Sequence, residues 1–345
     1  MKRMGLIRFL FAAAMGMTGA TSVVAQDFYA GKTIKIVVGS TPGGGYDSYA
    51  RLLARHMNKY IPGQPTSVVV NVPGADGIIA ANHLYNIADK DGTVFGTFNR
   101  YVVLLSLLGS KQARFEPEKF GWIGTTASYS DNAYLLVIRS ALPHRTISDL
   151  RNAQMPVHLG NSGTDVPAVL REALGLNFKV VAGYKGSDDL EIAFERGEVD
   201  AHTSGWTSIQ SRHADWIKDG FIRPMIQFGR IDRLAALPDV PTARELTSNP
   251  EDRALIEFAE LPLLIARPFA APPGVPKDRL EILRSAFSKV VADQGYLADG
   301  NKQRLELTPM DGASVSKLVD AITTAPPSVV ERYKKALDGK VPSGG

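Results

Sequence analysis

The stretch IKIVVGSTPGGGYDSYAR, residues 34–51, joins a short apolar run to three consecutive glycines and then to a helical pattern. The run 34–38 predicts a buried strand, and apolar residues at helical spacing predict a helix over about 46–60. A row of glycines is costly to order because glycine has the most backbone freedom to lose. The triplet therefore indicates that something approaches this backbone so closely that side chains have to be absent.

A helix that begins directly after such a loop presents unpaired N–H groups and a partial positive charge. Because glycine has no Cβ, an anion can reach those N–H groups. We therefore expect a ligand here, held largely by backbone, at Thr41, Gly43, Gly44, Gly45, Tyr46 and Asp47. Two alternatives stay open. For the glycines, the alternative is that they form only a tight turn. For Asp47, the alternative is that its side chain accepts N–H bonds at the start of its own helix instead of contacting a ligand.

A carboxylate fits this loop better than a phosphate does. No lysine follows the glycines, as a phosphate loop requires, and Ser48 stands where the dinucleotide-binding pattern has its last glycine. A carboxylate is smaller, singly charged and satisfied by a few backbone N–H groups.

Short β-rich runs alternate with amphipathic helical patterns along the rest of the chain. Strands are predicted over residues 34–38, 68–70, 94–97, 134–138, 157–159, 179–182, 199–202, 223–228 and 263–269. Further helices are predicted over about 78–87, 164–174, 187–196, 276–292, 314–323 and 326–338, with another ending near residue 218. This rhythm predicts an α/β fold with parallel sheets and helices on their faces. The length exceeds that of a usual single domain and favours two.

The N-terminus has the pattern of a secretory signal peptide. Residues 1–25 contain an early basic cluster, a short apolar run and small residues before Gln26. A membrane anchor is the alternative, but spanning a bilayer takes roughly 20 apolar residues. The chain has no cysteine, which excludes disulfides and a lipid anchor on cysteine. We therefore expect cleavage of residues 1–25 and a freely soluble protein in a bacterial periplasm.

Composition and motifs argue against several function classes. Removing the three basic residues of the leader lowers the net charge from +4 to +1. A charge this small does not indicate the basic surface that binds nucleic acid. The six histidines form no zinc-binding pair or motif, and the nucleophile elbow of hydrolases is absent. We expect no cofactor, no metal and no catalysis.

Other polar residues follow predicted strands, and in an open α/β sheet ligands bind beyond the carboxyl ends of the strands. The Arg100 guanidinium suits a carboxylate, with a salt bridge as the alternative. Trp206 is expected either to wall a pocket or to pack in the core. The further candidates are Pro73, Gly74, Ala75, Asp76, Asn99, Arg100, Asn161, Ser162, Gly163, Thr164, Asp165, Tyr184, Lys185, Gly186, Ser204 and Trp206.

The chain resembles the solute receptors of tripartite tricarboxylate transporters, the periplasmic group called Bug proteins. The resemblance covers nearly the whole chain after the leader and rests on several segments in order. These segments are KTIKIVVGSTPGGGYDSYARLLARHM, VVVNVPGADGIIAANHL, DGTVFGT, GYKGSDDLEIAFERGEVDA, LPDVPTARELT and APPGVPKDRLEIL.

The resemblance implies a two-domain binding protein that closes on its ligand like a flytrap. Domain 1 would comprise residues 26–125 and 229–345, and domain 2 residues 126–228. In the family the loops corresponding to 41–47 and 73–77 grip a carboxylate, partly through ordered water. The second domain tends to set specificity, here through residues 161–165, 184–187 and 204–206.

The chain departs from the family pattern at two places. Asp76 stands where a glycine is usual, which places a carboxylate near the expected anion site. Three alternatives stay open: the side chain points away, it caps the helix of residues 77–88, or it favours a ligand with a cationic or hydroxyl group. Val166-Pro-Ala168 replaces a usual His-Leu-Ala.

We therefore expect a monomeric, non-catalytic receptor that delivers a small organic carboxylate to the membrane subunits of a tripartite tricarboxylate-type transporter. A receptor that signals and a periplasmic hydrolase are the alternatives. Neither a nucleic-acid partner nor a cofactor is expected.

Overall fold

The computed structural model describes residues 28–130, 132–161, 166–184 and 187–337. The predicted site residues Ser162, Gly163, Thr164, Asp165, Lys185 and Gly186 lie outside the described residues. The strands in chain order are β1 Thr33–Val38, β2 Thr66–Asn71, β3 Val94–Thr97, β4 Gly121–Thr125, β5 Tyr134–Arg139, β6 Val157–Gly160, β7 Phe178–Val181, β8 Ala201–Gly205, β9 Ile222–Phe228, β10 Pro268–Ala271 and β11 Met310–Asp311.

Helices connect the strands and cover the sheets. In chain order they are α1 Gly45–Met57, α2 Ile78–Asn86, α3 Val102–Leu105, α4 Ile147–Arg151, α5 Val166–Leu174, α6 Ser187–Glu195, α7 Trp206–Arg212, α8 Ala214–Lys218, α9 Pro250–Leu264, α10 Lys277–Val291, α11 Gln294–Lys302, α12 Gly312–Thr323 and α13 Pro327–Ala336. None of the helices in the described part of the chain combines the length and apolar character that a membrane crossing requires.

The strands form two separate mixed sheets, so the predicted α/β class is confirmed while the expectation of parallel sheets is wrong in part. The first sheet has the order β11-β4-β10-β3-β1-β2, with β1 parallel to β2 and β3, and β10 antiparallel to β3 and β4. The second has the order β7-β6-β8-β5-β9, with β6 parallel to β7 and β8, and β5 antiparallel to β8 and β9. Strand β5 is the first strand after the chain leaves the first sheet, and β10 is the first strand after it returns.

The prediction of a strand over residues 263–269 is wrong at its beginning. Helix α9 continues to Leu264, with Pro262 inside its last turn, and β10 begins only at Pro268. The chain is apolar where this helix ends, and Leu263, Ile265 and Ala266 are all buried. A short continuous apolar run does not distinguish a buried strand from a buried helix end.

The largest hydrophobic cluster contains residues of both sheets. It includes Val37 of β1, Leu136 of β5 and Leu159 of β6, each at most 4% exposed. Helices α9 and α13 pack against α5 and against each other. Thr242 also forms a bridge to Gln227 of β9. The predicted domain limits at residues 125 and 228 stay a prediction, and these contacts cross them.

Candidate functional site

A cavity of about 680 Å³ lies between the two sheets. On the first sheet, its wall is formed by residues that follow β1 and β3. On the second sheet, it is formed by the end of β8, the start of β5 and the first turn of α6. Both walls thus belong to strand ends and helix starts, where unpaired polar backbone groups and polar side chains collect.

The first loop, residues 41–47, contributes its glycines to this cavity. Gly43, Gly44 and Gly45 all line it, and no side chain caps the N-terminus of α1 at Gly44. Gly43 has a φ of +81°, a conformation that only glycine adopts without strain. A Cβ on Gly45 would lie 3.6 Å from Nη2 of Arg267. The glycines therefore expose the positive start of a helix and leave room for a guanidinium beside it.

Asp47 has a structural role in the same loop. Its carboxylate accepts hydrogen bonds from the Gly43 N–H, the Arg51 Nε and the Asn71 side-chain amide, each at 2.8 Å. It is 2% exposed and does not line the cavity. Burial acts to raise the pKa of this carboxyl, but these hydrogen bonds outweigh it and hold the pKa below the ordinary value. Of the two roles considered from the sequence, the structure shows the one at the helix start.

Two arginines line the cavity close together. Arg100 follows β3, and Arg267 precedes β10, which is hydrogen-bonded to β3 with Phe269 opposite Thr97. Arg100 is 9% exposed, its guanidinium makes no hydrogen bond or ion pair among the described residues, and its Nε is buried without a partner. Arg267 donates from Nη1 to the Ala266 carbonyl at 2.8 Å, while its buried Nε has no partner.

Tyrosine rings surround both guanidinium groups. The Arg100 guanidinium carbon lies 4.9 Å from the Tyr101 ring centroid, 5.7 Å from that of Tyr134 and 5.9 Å from that of Tyr129. The Arg267 guanidinium carbon lies 4.8 Å from the Tyr46 centroid. Aromatic faces stabilise a cation without accepting its in-plane N–H bonds. Apart from Arg267 Nη1, which bonds to the Ala266 carbonyl, these N–H groups have no acceptor among the described residues.

Glu306 is the buried acid nearest to this arginine pair. Its Oε1 accepts a hydrogen bond from the Asn132 side chain at 2.9 Å, and it makes no salt bridge with Arg100 or Arg267. Burial raises the pKa of Glu306, against the opposing effects of Asn132 and the two arginines. Glu306 therefore bonds to Asn132 rather than to either arginine of the cavity.

The opposite wall carries hydroxyl groups and acids. Thr203, Ser204 and Ser208 come from β8 and α7, and Ser187, Asp188, Asp189 and Glu191 from α6. Arg212 of α7 pairs with Asp188 and, at 2.5 Å, with Glu191. Glu191 also lies 2.9 Å from the His213 Nε2.

The structure brings some predicted residues together at the cavity and places others elsewhere. The cavity-lining ones are Thr41, Gly43, Gly44, Gly45, Tyr46, Asn99, Arg100 and Ser204. Those that do not line it are Asp47, Pro73, Gly74, Ala75, Asp76, Asn161, Tyr184 and Trp206. Trp206 is buried in a hydrophobic cluster of the second sheet, as the core alternative predicts, and Tyr184 packs against that cluster. The role of every predicted site residue in ligand binding stays a prediction.

The second loop, residues 73–77, lies beside the first without reaching the cavity. It follows β2, the edge strand of the sheet, whereas the first loop follows the interior strand β1. Four consecutive residues have positive φ: Gly74, Ala75, Asp76 and Gly77. A Cβ built on Gly39, just after β1, would lie 2.9 Å from the Gly77 Cα. The second loop therefore packs closely against the backbone at the end of β1, just before the first loop.

Several cavity residues were missed by the sequence analysis. They are Ser40, Ser48, Tyr101, Tyr129, Tyr134, Asp188, Asp189, Glu191, Thr203, Ser208, Arg212 and Arg267. Ser187 and Gly205 also line the cavity, and they lie within the segments 184–187 and 204–206 that the family resemblance implies. Five of the missed residues, Ser40, Ser48, Tyr101, Asp188 and Thr203, stand next to a predicted residue in sequence, so a wider window around each strand end would have included these five. Arg267 has no such signal, because it depends on β10 being inserted beside β3.

Comparisons with known proteins identify the family of the chain. A family model described as tripartite tricarboxylate transporter family receptor matches residues 49–332. The chain belongs to this receptor family. A relative of the receptor in Cupriavidus necator, described as a UPF0065 protein in the gbd 5' region, is 25% identical over 296 residues, 82% of each chain. The resemblance inferred from the ordered sequence segments is thereby confirmed.

Solved structures share the fold of the receptor. The periplasmic binding protein BugD superposes with a TM-score of 0.65 at 23% identity, covering 89% of this chain and 98% of that one. The R. palustris protein Rpa4515, solved with adipate, superposes with a TM-score of 0.64 at 19% identity, covering 88% and 97%. The predicted two-domain binding-protein fold, with the cavity between the sheets, is confirmed.

Proposed function

We propose that this receptor captures a small organic carboxylate between its two domains and delivers it to the membrane subunits of a tripartite tricarboxylate-type transporter. We further propose that it works in the periplasm after loss of residues 1–25, as a monomer and without catalysis. The observation that carries the proposal is the buried Arg100 guanidinium, which has no hydrogen-bond or ion-pair partner among the described residues, in a cavity lined by both sheets. Membership of the receptor family and the adipate bound by Rpa4515 support it.

The geometry supports an anion on energetic grounds. A buried cation without a partner is costly, and a ligand carboxylate would supply the missing acceptor. The start of α1 adds about 0.3–1 kcal/mol, and a hydrogen bond to a charged group about 1.5–3 kcal/mol. A micromolar complex needs about 8 kcal/mol. The remainder has to come from the second wall and from water expelled when the domains close, so the open form should bind weakly.

The composition of the cavity speaks against a serine hydrolase. Serines line it, but no histidine is among its described lining residues. Such an enzyme needs a base beside its nucleophile, so this lining favours a receptor. A receptor that signals uses the same binding step, so the ligand chemistry proposed here applies to it equally.

Thermal unfolding with a panel of acids tests the proposal. The panel contains aliphatic dicarboxylates and tricarboxylates, aromatic acids and amino acids, each paired with its amide. A ligand at 100 times its Kd adds about 2.7 kcal/mol to stability. We expect one class of acid to raise the unfolding temperature while its amide does not, and Arg100→Gln to reduce the shift at the same ligand concentration.

Mass spectrometry of the denatured protein, run first, removes samples that still hold a ligand from expression. An equal response to acids and amides, or none at all in ligand-free protein, would contradict the proposal. Arg279→Gln serves as the control, because Arg279 also stacks on an aromatic ring, that of Phe28 at 3.7 Å, but does not line the cavity.

A further inference from the structure

The two walls of the cavity carry opposite charge. The wall on the first sheet has two guanidinium groups, those of Arg100 and Arg267, and no acid among its described lining residues. Among its described lining residues, the wall on the second sheet has three carboxylates, those of Asp188, Asp189 and Glu191, and one cation, Arg212. A ligand that spans the cavity therefore meets a positive field at one end and a negative field at the other.

The positive end is enclosed and lacks its counter-ion. Arg100 is 9% exposed, three tyrosine rings surround its guanidinium, and no described carboxylate pairs with it. Arg267 stands beside the Gly45 backbone at the start of α1. One acid group placed here would meet two guanidinium groups and a helix N-terminus at once.

The negative end is only partly neutralised. Arg212 is shared by Asp188 and Glu191, and Asp189 has no ion pair or hydrogen bond among the described residues. Acids in the first turn of a helix also stabilise its N-terminus. That role explains why Asp188 and Asp189 are tolerated, but it does not remove their charge from the cavity. The hydroxyl groups of Ser187, Ser204 and Ser208 line the same wall and can accept hydrogen bonds.

We propose that Arg100 and Arg267 hold the single acid group of the ligand, and that the acidic wall selects ligands whose far end is an ammonium or hydroxyl group. The preferred substrates are thus amphoteric or hydroxylated organic acids, and a second carboxylate at the far end is rejected. This inference rests on the proposed function and narrows it. It also makes two side chains of this receptor, in addition to backbone N–H groups, responsible for gripping the acid.

Calorimetric titration with matched ligands tests the inference. A six-carbon series consists of ε-aminocaproate, ε-hydroxycaproate, caproate and adipate, and a four-carbon series of γ-aminobutyrate, γ-hydroxybutyrate, butyrate and succinate. Within a series only the far group changes. We expect the amino acid to bind about ten- to hundredfold tighter than the diacid in at least one series, because attraction replaces repulsion at the acidic wall.

Variants separate the two ends of the cavity. Arg100→Gln and Arg267→Gln should each weaken every member of a series by about ten- to hundredfold. The double variant Asp188→Asn with Asp189→Asn should reduce the preference for the amino acid by about tenfold or more and leave the affinity for the uncharged-tail acid unchanged. Asp215→Asn is the matched control, because Asp215 is an exposed first-turn acid of α8 that does not line the cavity.

The outcomes distinguish this inference from the proposed function. Tightest binding of adipate or succinate would overturn the inference and leave a carboxylate receptor. A preference for the amino acid that survives the double variant would also overturn it. Failure of every acid to bind ligand-free protein would count against the proposed function itself, and the inference would fall with it.

Discussion

The two glycine loops of the first sheet differ in what their glycines do. In the first loop, Gly43 and Gly45 face the cavity, and the internal acid Asp47 bonds to the loop itself. In the second loop, Gly74 and Gly77 have positive φ and pack toward Ile79 and Phe98, while Asp76 is exposed. The strand before each loop explains the difference, since β1 is interior and β2 is the edge. A loop motif thus acquires a binding role from the position of its strand in the sheet.

The largest expected effect concerns Asp47 in the first loop. Asp47→Ala leaves the Gly43 N–H and the Asn71 amide without their acceptor, so we expect a loss of about 2–4 kcal/mol in the free energy of unfolding. Urea denaturation measures it. Asp76→Ala, in the second loop, should cost less than about 1 kcal/mol, since exposed side chains without partners contribute little. Equal losses in both variants would contradict the contrast between the loops.

The same aspartate predicts a pH dependence. The pKa of Asp47 in the folded protein lies below the ordinary value of 3.8. Its contribution to stability is therefore complete above that pH and is lost as the pH falls through the lower folded pKa. The stability difference between wild type and Asp47→Ala should shrink below about pH 4. A stability difference that stays constant down to pH 2 would contradict the attribution of this pH dependence to Asp47.

Gly74→Ala tests the strained conformation of the second loop. Gly74 has φ 127° and ψ 147°, a region that is essentially restricted to glycine. We expect a loss of about 1–3 kcal/mol in the free energy of unfolding with unchanged ligand affinity in the folded protein. A weakened affinity at unchanged stability would show instead that the second loop contacts the ligand, as the family resemblance implies.

Gly45→Val is the matching change in the first loop. Gly45 has ordinary space for a Cβ, but the branched side chain would extend toward Arg267 and the cavity. We expect the Kd of the identified ligand to rise about tenfold or more, equivalent to about 1.4 kcal/mol, with little change in stability. Calorimetric titration measures the affinity. Gly45→Ala is the control, since its Cβ would lie 3.6 Å from Arg267 Nη2 and should be tolerated.

The smallest expected effect is a gain. Asp76 has φ 49° and ψ 33°, the left-handed region that costs a non-glycine residue about 1–2 kcal/mol. Glycine removes this cost but loses more entropy on folding, by about 0.5–1 kcal/mol. Asp76→Gly should therefore stabilise the protein by about 0.5 kcal/mol, measured by urea denaturation. A clear loss of stability would indicate that the Asp76 side chain supports the loop.

Elements with a regular apolar pattern could be predicted from the sequence. The period of α1 and the apolar runs of β1 and β5 gave these elements to within a few residues. Strand β4 was missed because Gly121 and Gly124 interrupt its apolar pattern. The Cβ of a residue 124 other than glycine would lie 2.3 Å from Phe287 Cε1, so packing in the sheet determines that glycine. Local patterns do not contain such tertiary constraints.

The candidate site could be predicted only where its residues follow a strand that the local sequence pattern indicates. The glycine triplet and Arg100 were found because each follows a recognisable strand. Arg267 was not, because its place beside Arg100 depends on β10 crossing back into the first sheet between β3 and β4. Tyr129 lies in the connection between the two sheets, where no periodicity marks it. The charges of a cavity wall follow from topology, which a single sequence determines only indirectly.

The hydrophobic cluster shared by both sheets has a consequence for unfolding. If the two halves were joined only by two connecting segments of the chain, each half would unfold separately. Here α5, α9 and α13 join the halves through one apolar interior that includes Leu170, Leu255 and Tyr333. Scanning calorimetry should therefore show one cooperative endotherm whose van't Hoff and calorimetric enthalpies agree. Amides in the interior strands of both sheets should then exchange with solvent deuterium through the same global opening.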